Sequence, residues 1–193
     1  MPALTDSLFF AIYPDAAAAG RIARLAQRVQ AEHGLKSKPV AMERFHVTLH
    51  HLGAFAGVPE DVVAMACDAA SQVALAPFDV TFDRTSSFPG RRSKRPFVLR
   101  AGSENNGLLE LQATLGLALQ AAGLAVKANS RYTPHVTLLY DEHRPAERSV
   151  DPIGWAVREF VLVRSLLGRS QYVQLARWLL LARGAGQKES ARI

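Results

Sequence analysis

The tetrapeptide His-Val-Thr-Leu occurs twice, at 46–49 and again at 135–138, 89 residues further along a chain with only six histidines. Coincidence explains such a repeat poorly. In extended backbone, residues two apart share a face. Each copy therefore sets an imidazole and a hydroxyl side by side, with valine and leucine turned to the opposite face. Two such strands meeting in a sheet would gather His46, His135, Thr48 and Thr137 in one cleft. That set suits a phosphodiester. The hydroxyls can donate to non-bridging oxygens, one neutral imidazole can take a proton from an attacking water, and one imidazolium can protonate the leaving oxygen. Histidine titrates near neutrality, so the pair supplies both proton transfers without a metal.

One copy alone would read as an ordinary surface or core histidine. A metal site is the competing functional reading, because strict alternation puts His50 on the face of His46, with His51 beside it, and zinc could be completed by His135. No cysteine cluster or His-Glu-x-x-His helix supports it, and threonine is a poor zinc ligand but a good phosphate donor. We therefore expect neither metal nor cofactor. The single cysteine, Cys67, sits among Val62, Val63, Met65 and Ala66, the setting of a buried thiol rather than a nucleophile.

Flanking patterns say how the motifs are carried. An apolar run over 7–13, stopped by Pro14, reads as a strand. Asp15 can cap a following helix with Ile22, Leu25 and Val29 on one face and Gly34 at its end. Residues 44–52 alternate as a strand, so Phe45, Val47 and Leu49 should point one way and His46, Thr48 and His50 the other. A helix is expected over 60–74, strands over 78–82 and 95–100, a leucine-rich helix over 106–122 closed by Gly123, and a strand over 136–140 introduced by Pro134. Strands over 159–165 and 172–182, with Gly168 turning between them, complete an α+β pattern with several hairpins. The stretch 184–193 reads as a flexible tail, and 1–183 as a single domain.

The formal net charge of +6 favours an anionic partner such as nucleic acid, although solubility alone would account for part of it. Apolar runs fall far short of the roughly 20 residues that span a bilayer, and the N-terminus lacks the pattern of a secretory signal, so no membrane association and a cytoplasmic location are expected. The chain is long enough to fold alone, and we expect a monomer.

The double motif resembles that of the 2H phosphoesterase superfamily, and in particular its bacterial RNA 2′,3′-cyclic phosphodiesterases, also called 2′-5′ RNA ligases. The likeness extends over Phe9, Phe10, Ala11, Ile12, Tyr13, Pro14 and Asp15, over 46–53 with the trailing Leu52 and Gly53, over Pro134 to Leu138, and over Val161 to Ser165 followed by Tyr172. It implies two similar α/β lobes related by a pseudo-twofold axis, with antiparallel sheets flanking a central cleft. It implies hydrolysis of an RNA 2′,3′-cyclic phosphate end to a 2′-phosphate. The acid–base pair would be His46 and His135, and Thr48 and Thr137 would hold the phosphate; the same chemistry with an RNA hydroxyl in place of water is 2′-5′ ligation. Two positions depart from the family pattern: His51 stands where many relatives have phenylalanine, and Tyr140 where many have a basic residue.

Other residues are candidates for substrate contact. His50 could touch the leaving group or line the cleft. Arg91 and Arg92, with Lys94 and Arg95, form a basic Gly/Pro-bounded loop able to clamp an RNA backbone. Arg131 could meet the phosphate and Tyr132 could stack on a base. Phe9 and Phe10 fit core and cleft wall better than base stacking, and Tyr172 is a similar case. The alternatives are a phosphodiesterase acting on another cyclic or 2′-5′-linked nucleotide and a non-catalytic RNA-binding module; the retention of both histidines and both threonines argues against the second.

Overall fold

The computed structural model describes residues 3–89, 93–102, 105–126 and 132–181. Its chain order is β1 (Asp6–Ile12), α1 (Ala16–Glu32), β2 (Val47–Phe55), α2 (Glu60–Ala70), β3 (Phe78–Ser87), β4 (Arg95–Ala101), α3 (Asn106–Ala121), β5 (His135–Asp141), β6 (Arg148–Val157), β7 (Glu159–Leu166) and β8 (Gln171–Leu179). The eight strands form one antiparallel sheet in the order β6-β3-β4-β5-β2-β1-β7-β8. The two motif strands, β2 and β5, lie at its centre.

The repeat is larger than the tetrapeptide. Shifted by 89 residues, β1 falls on β4, and α1 falls on α3 to within one residue at its start. Each half is thus a strand, a helix and an antiparallel motif strand, extended outward by two more strands. The halves meet at a single registered pair, Val47 with Val136, both fully buried. Burial of each valine contributes about 1.5–3 kcal/mol, yet beyond that pair the strands diverge and the sheet opens.

The helices form because each buries one stripe. On α1 the stripe is Ala18, Ile22, Leu25, Ala26 and Val29, and on α3 it is Leu108, Leu111, Leu115 and Leu119. Asp15 caps α1 by accepting from the Ala18 amide at 2.7 Å. These stripes pack with Phe10, Ile12, Val47, Phe82, Leu99 and Val136 in one large core. A second, smaller cluster of Phe9, Ala11, Val161 and Val163, flanked by Tyr13 and Tyr172, contains none of the helices' buried residues and marks the sheet's other face.

The sequence pattern misses β6, whose Pro152 and Gly154 read as breakers. β6 is an edge strand pairing only with β3, so proline costs it no ladder partner, and Pro152 falls where the register shifts between the Phe82–Ile153 and Arg84–Ser149 pairs. Gly154 is required there by close approach, since a Cβ would lie 2.8 Å from the Val80 carbonyl oxygen. Cys67 is half-buried against the main core. Among the described residues no helix is long and apolar enough to cross a membrane. The expected tail, 184–193, lies outside the described residues.

Candidate active site

The antiparallel pairing of Val47 with Val136 orders the two strands so that His46 lies on the side of Thr137 and Thr48 on the side of His135. The two histidines are anchored alike. His46 Nδ1 donates to the Arg44 carbonyl at 2.7 Å, and His135 Nδ1 donates to the Thr133 carbonyl at 2.8 Å, each bond reaching two residues back. A carbonyl has no hydrogen to give, so Nδ1 carries the proton in both rings and Nε2 is left to act on a ligand.

Burial holds both imidazoles below the ordinary histidine pKa. At His46 the bond to Arg44 opposes that shift, while charge on His135 and on Arg44 adds to it. At His135 the bond to Thr133 opposes it and the Arg100 guanidinium adds to it. Both shifts favour the neutral form of the rings.

Their surroundings differ. His46 stands among aromatic rings, with centroids 5.0 Å from Phe9, 5.4 Å from Tyr172 and 6.1 Å from Tyr13. Arg44 lies over the Tyr172 ring and donates to its hydroxyl at 3.3 Å. Burial, with a smaller contribution from Tyr172, raises the Tyr13 phenol to about 12, so it stays protonated. His135 instead has Phe88 edge-on at 4.6 Å and Arg100 opposite it on β4. Arg100 and Phe88 escaped sequence reasoning because only the pairing of distant strands brings them to His135, whereas Arg44, two residues before His46, was within reach of it. Phe9 forms cleft wall and Phe10 core, as their alternation allows.

Strict alternation fails after each threonine. Between Ala11–Thr48 and Phe10–His50 the β2 strand carries an extra residue, Leu49; between Val98–Thr137 and Phe97–Leu139 the β5 strand carries Leu138. These paired β-bulges put consecutive residues against the core. His50 is consequently in the core rather than on the motif face, with Nε2 donating to the Gln112 carbonyl at 2.7 Å. His51 takes the motif face, its Nε2 2.9 Å from the Ser7 hydroxyl. The zinc arrangement that alternation allowed is thus not assembled. Among the described residues no group of three His, Cys, Asp or Glu is placed to hold a metal.

Tyr132 is also placed differently from a stacking residue. Its hydroxyl donates to the Thr48 backbone carbonyl at 2.9 Å, clasping the second motif's approach to the first motif where the ladder has opened. Arg91, Arg92 and Arg131 lie outside the described residues. Lys94 donates to Ser37 at 3.2 Å, and Arg95 begins β4.

Residues 13–169 match the family model described as 2'-5' RNA ligase superfamily. The chain belongs to that superfamily. Its solved relatives include the apo form of Escherichia coli LigT, 27% identical, with a TM-score of 0.69 over 92% of this chain and 99% of that one. The same protein complexed with 3′-AMP is 28% identical, with a TM-score of 0.68 over 91% of this chain and 98% of that one. TT0787 of Thermus thermophilus is 27% identical, with a TM-score of 0.67 over 92% of this chain and 99% of that one. No curated protein matches the chain. The α+β architecture with its open eight-stranded sheet is the LigT fold, and the protein is a 2H phosphoesterase.

Proposed function

We propose that this 2H phosphoesterase opens RNA 2′,3′-cyclic phosphate ends to 2′-phosphates with His46 and His135 as its acid–base pair. The observation that carries this reading is the matched anchoring of two imidazoles, each with Nδ1 fixed to a carbonyl two residues back and each at the start of one of the two motif strands paired at Val47–Val136. Thr48 and Thr137 hydroxyls donate to the non-bridging phosphate oxygens. Nε2 of the neutral histidine takes a proton from water as the water oxygen bonds to phosphorus. The bond from phosphorus to O3′ breaks, and the other histidine, protonated at Nε2, gives its proton to O3′. The product carries a 3′ hydroxyl and a 2′-phosphate, and the two histidines have exchanged protonation states, which solvent resets. An RNA 5′ hydroxyl in place of water leaves a 2′-5′ bond. Both proton transfers are carried by imidazole, so the reaction proceeds without a metal. The LigT complex with 3′-AMP supports a nucleotide ligand by analogy.

The test is hydrolysis of a short RNA ending in a 2′,3′-cyclic phosphate, in EDTA, by the wild type, His46→Ala and His135→Ala. The wild type should release only 2′-phosphate ends, and each variant should lose at least about a hundredfold, the lower range for one positioned acid or base. Loss of wild-type turnover in EDTA, or turnover confined to another cyclic or 2′-5′-linked nucleotide, would overturn the assignment.

A further inference from the structure

A cavity of about 540 Å³ opens beside His135, walled by the end of β3, by β4 and by the connection from β5 to β6. It is joined to the histidine through shared residues. Phe88 and Thr133 line it, and these are the ring packed edge-on against His135 and the carbonyl that accepts from its Nδ1. Arg100, opposite His135 on β4, lines it as well. From there the cavity runs outward past Arg95 to Arg144.

Its charge is unbalanced. Arg95, Arg100 and Arg144 face one lining carboxylate, Glu147. Glu147 is already shared, pairing with Arg100 and with Arg84 outside the cavity. Among the described residues no carboxylate pairs with Arg95 or Arg144. The Arg95 Nε is buried and lacks a hydrogen-bond partner there. An unneutralised guanidinium set in a cleft adjoining a phosphate-cleaving centre fits a second phosphate.

We infer that this cavity binds the internucleotide phosphate next to the reacting one, so that the preferred substrate is an oligonucleotide rather than a cyclic mononucleotide. The inference rests on the cyclic-phosphate reading above for which phosphate this is. A 2′,3′-cyclic phosphate closes the 3′ end of a strand, so every other phosphate lies on its 5′ side, and the nearest is the one joining the last two nucleosides. Glu147 holds Arg100 in position but competes with that phosphate for it.

The experiment compares ligands with and without the second phosphate. Binding of uridine 2′-phosphate and of the dinucleotide ApU carrying a 2′-phosphate is measured with the wild type, Arg144→Ala and Glu147→Gln, alongside kcat/KM on the corresponding cyclic phosphates. Arg144 is exposed on a connection, so its truncation leaves the core intact. Arg144→Ala should lower the dinucleotide-to-mononucleotide affinity ratio about tenfold, the scale of one charge-assisted hydrogen bond, and should flatten the salt dependence of dinucleotide binding by just under one phosphate contact. Glu147→Gln should raise the ratio. Equal ratios in all three proteins would overturn the inference. An Arg144-dependent binding ratio without turnover of either cyclic phosphate would uphold the cavity as a phosphate site and overturn the proposed reaction instead.

Discussion

Removing one oxygen, in Tyr132→Phe, tests whether the clasp between the two motifs matters to chemistry. The phenol donates to the Thr48 carbonyl at 2.9 Å, and burial raises its pKa, so it is a neutral donor across the working pH range. Its bond is one of few ties across a seam with a single registered pair. A neutral hydrogen bond of this kind contributes about 1 kcal/mol net, and orphaning a part-buried carbonyl can cost up to about 3 kcal/mol. In a chain of this length the first figure lowers Tm by about 2–4 °C. If the Thr48 hydroxyl binds the phosphate, the same 1 kcal/mol expressed in the transition state lowers kcat/KM about fivefold. The assay is a double-mutant cycle on the cyclic-phosphate RNA. Tyr132→Phe should cost about fivefold in the wild-type background and little in Thr48→Ala, because the tyrosine acts through that threonine. Strictly additive losses would refute the argument, as would an unchanged kcat/KM in the single variant with its Tm lowered.

Two further expectations concern the histidines. Burial lowers both His46 and His135, so the form with one ring protonated and the other neutral is most populated between two pKa values that both lie below the usual value of about 6.5. The kcat/KM profile should be a bell centred below that pH, and the kcat profile should be displaced upward, since bound phosphate favours imidazolium; a kcat/KM optimum above pH 7 would contradict this. Gly116→Ala, ordinarily stabilising by about 1 kcal/mol inside a helix, should instead destabilise. A Cβ there would lie 2.9 Å from His50 Cε1 and push the ring off the Gln112 carbonyl; a raised Tm would show that His50 is not held as described.

Much of the site was legible because it is written twice. Polar and apolar residues alternate over four positions in each motif, and from His46 to Leu49 that alternation identifies the face correctly. It failed at His50. A bulge obeys no local sequence rule: Leu49 and His50 both turn to the core because β1 contributes one residue where β2 contributes two. The same offset at Leu138 left no polar mark in the sequence, since Leu138 and Leu139 are both apolar and both are buried. Helices α1 and α3 could be read from their periodic stripes, whereas β6 was lost because its proline and glycine are tolerated only by virtue of an edge position that no local window reveals. Arg100 and Phe88 belong to the same class of omission, being brought to His135 by pairing between distant strands, whereas Arg44 lies two residues before His46 and its omission had no such reason.

The strand order also bears on how the protein comes to exist in the cell. One half of the sheet, β6-β3-β4-β5, is drawn from a continuous stretch, Phe78 to Val157, and its widest pairing, Phe78 with Val157, spans less chain than that of Asp6 with Leu166 in the other half. The other half needs both ends of the chain: β1, at Asp6–Ile12, gains its outer neighbour only when β7, at Glu159–Leu166, has been made. Loops of that span are entropically dear to close, and domains emerge from the ribosome N-terminus first. The histidine translated first is therefore the one whose surroundings are completed last. Tyr172, which packs against His46, is among the final residues to be laid into the sheet.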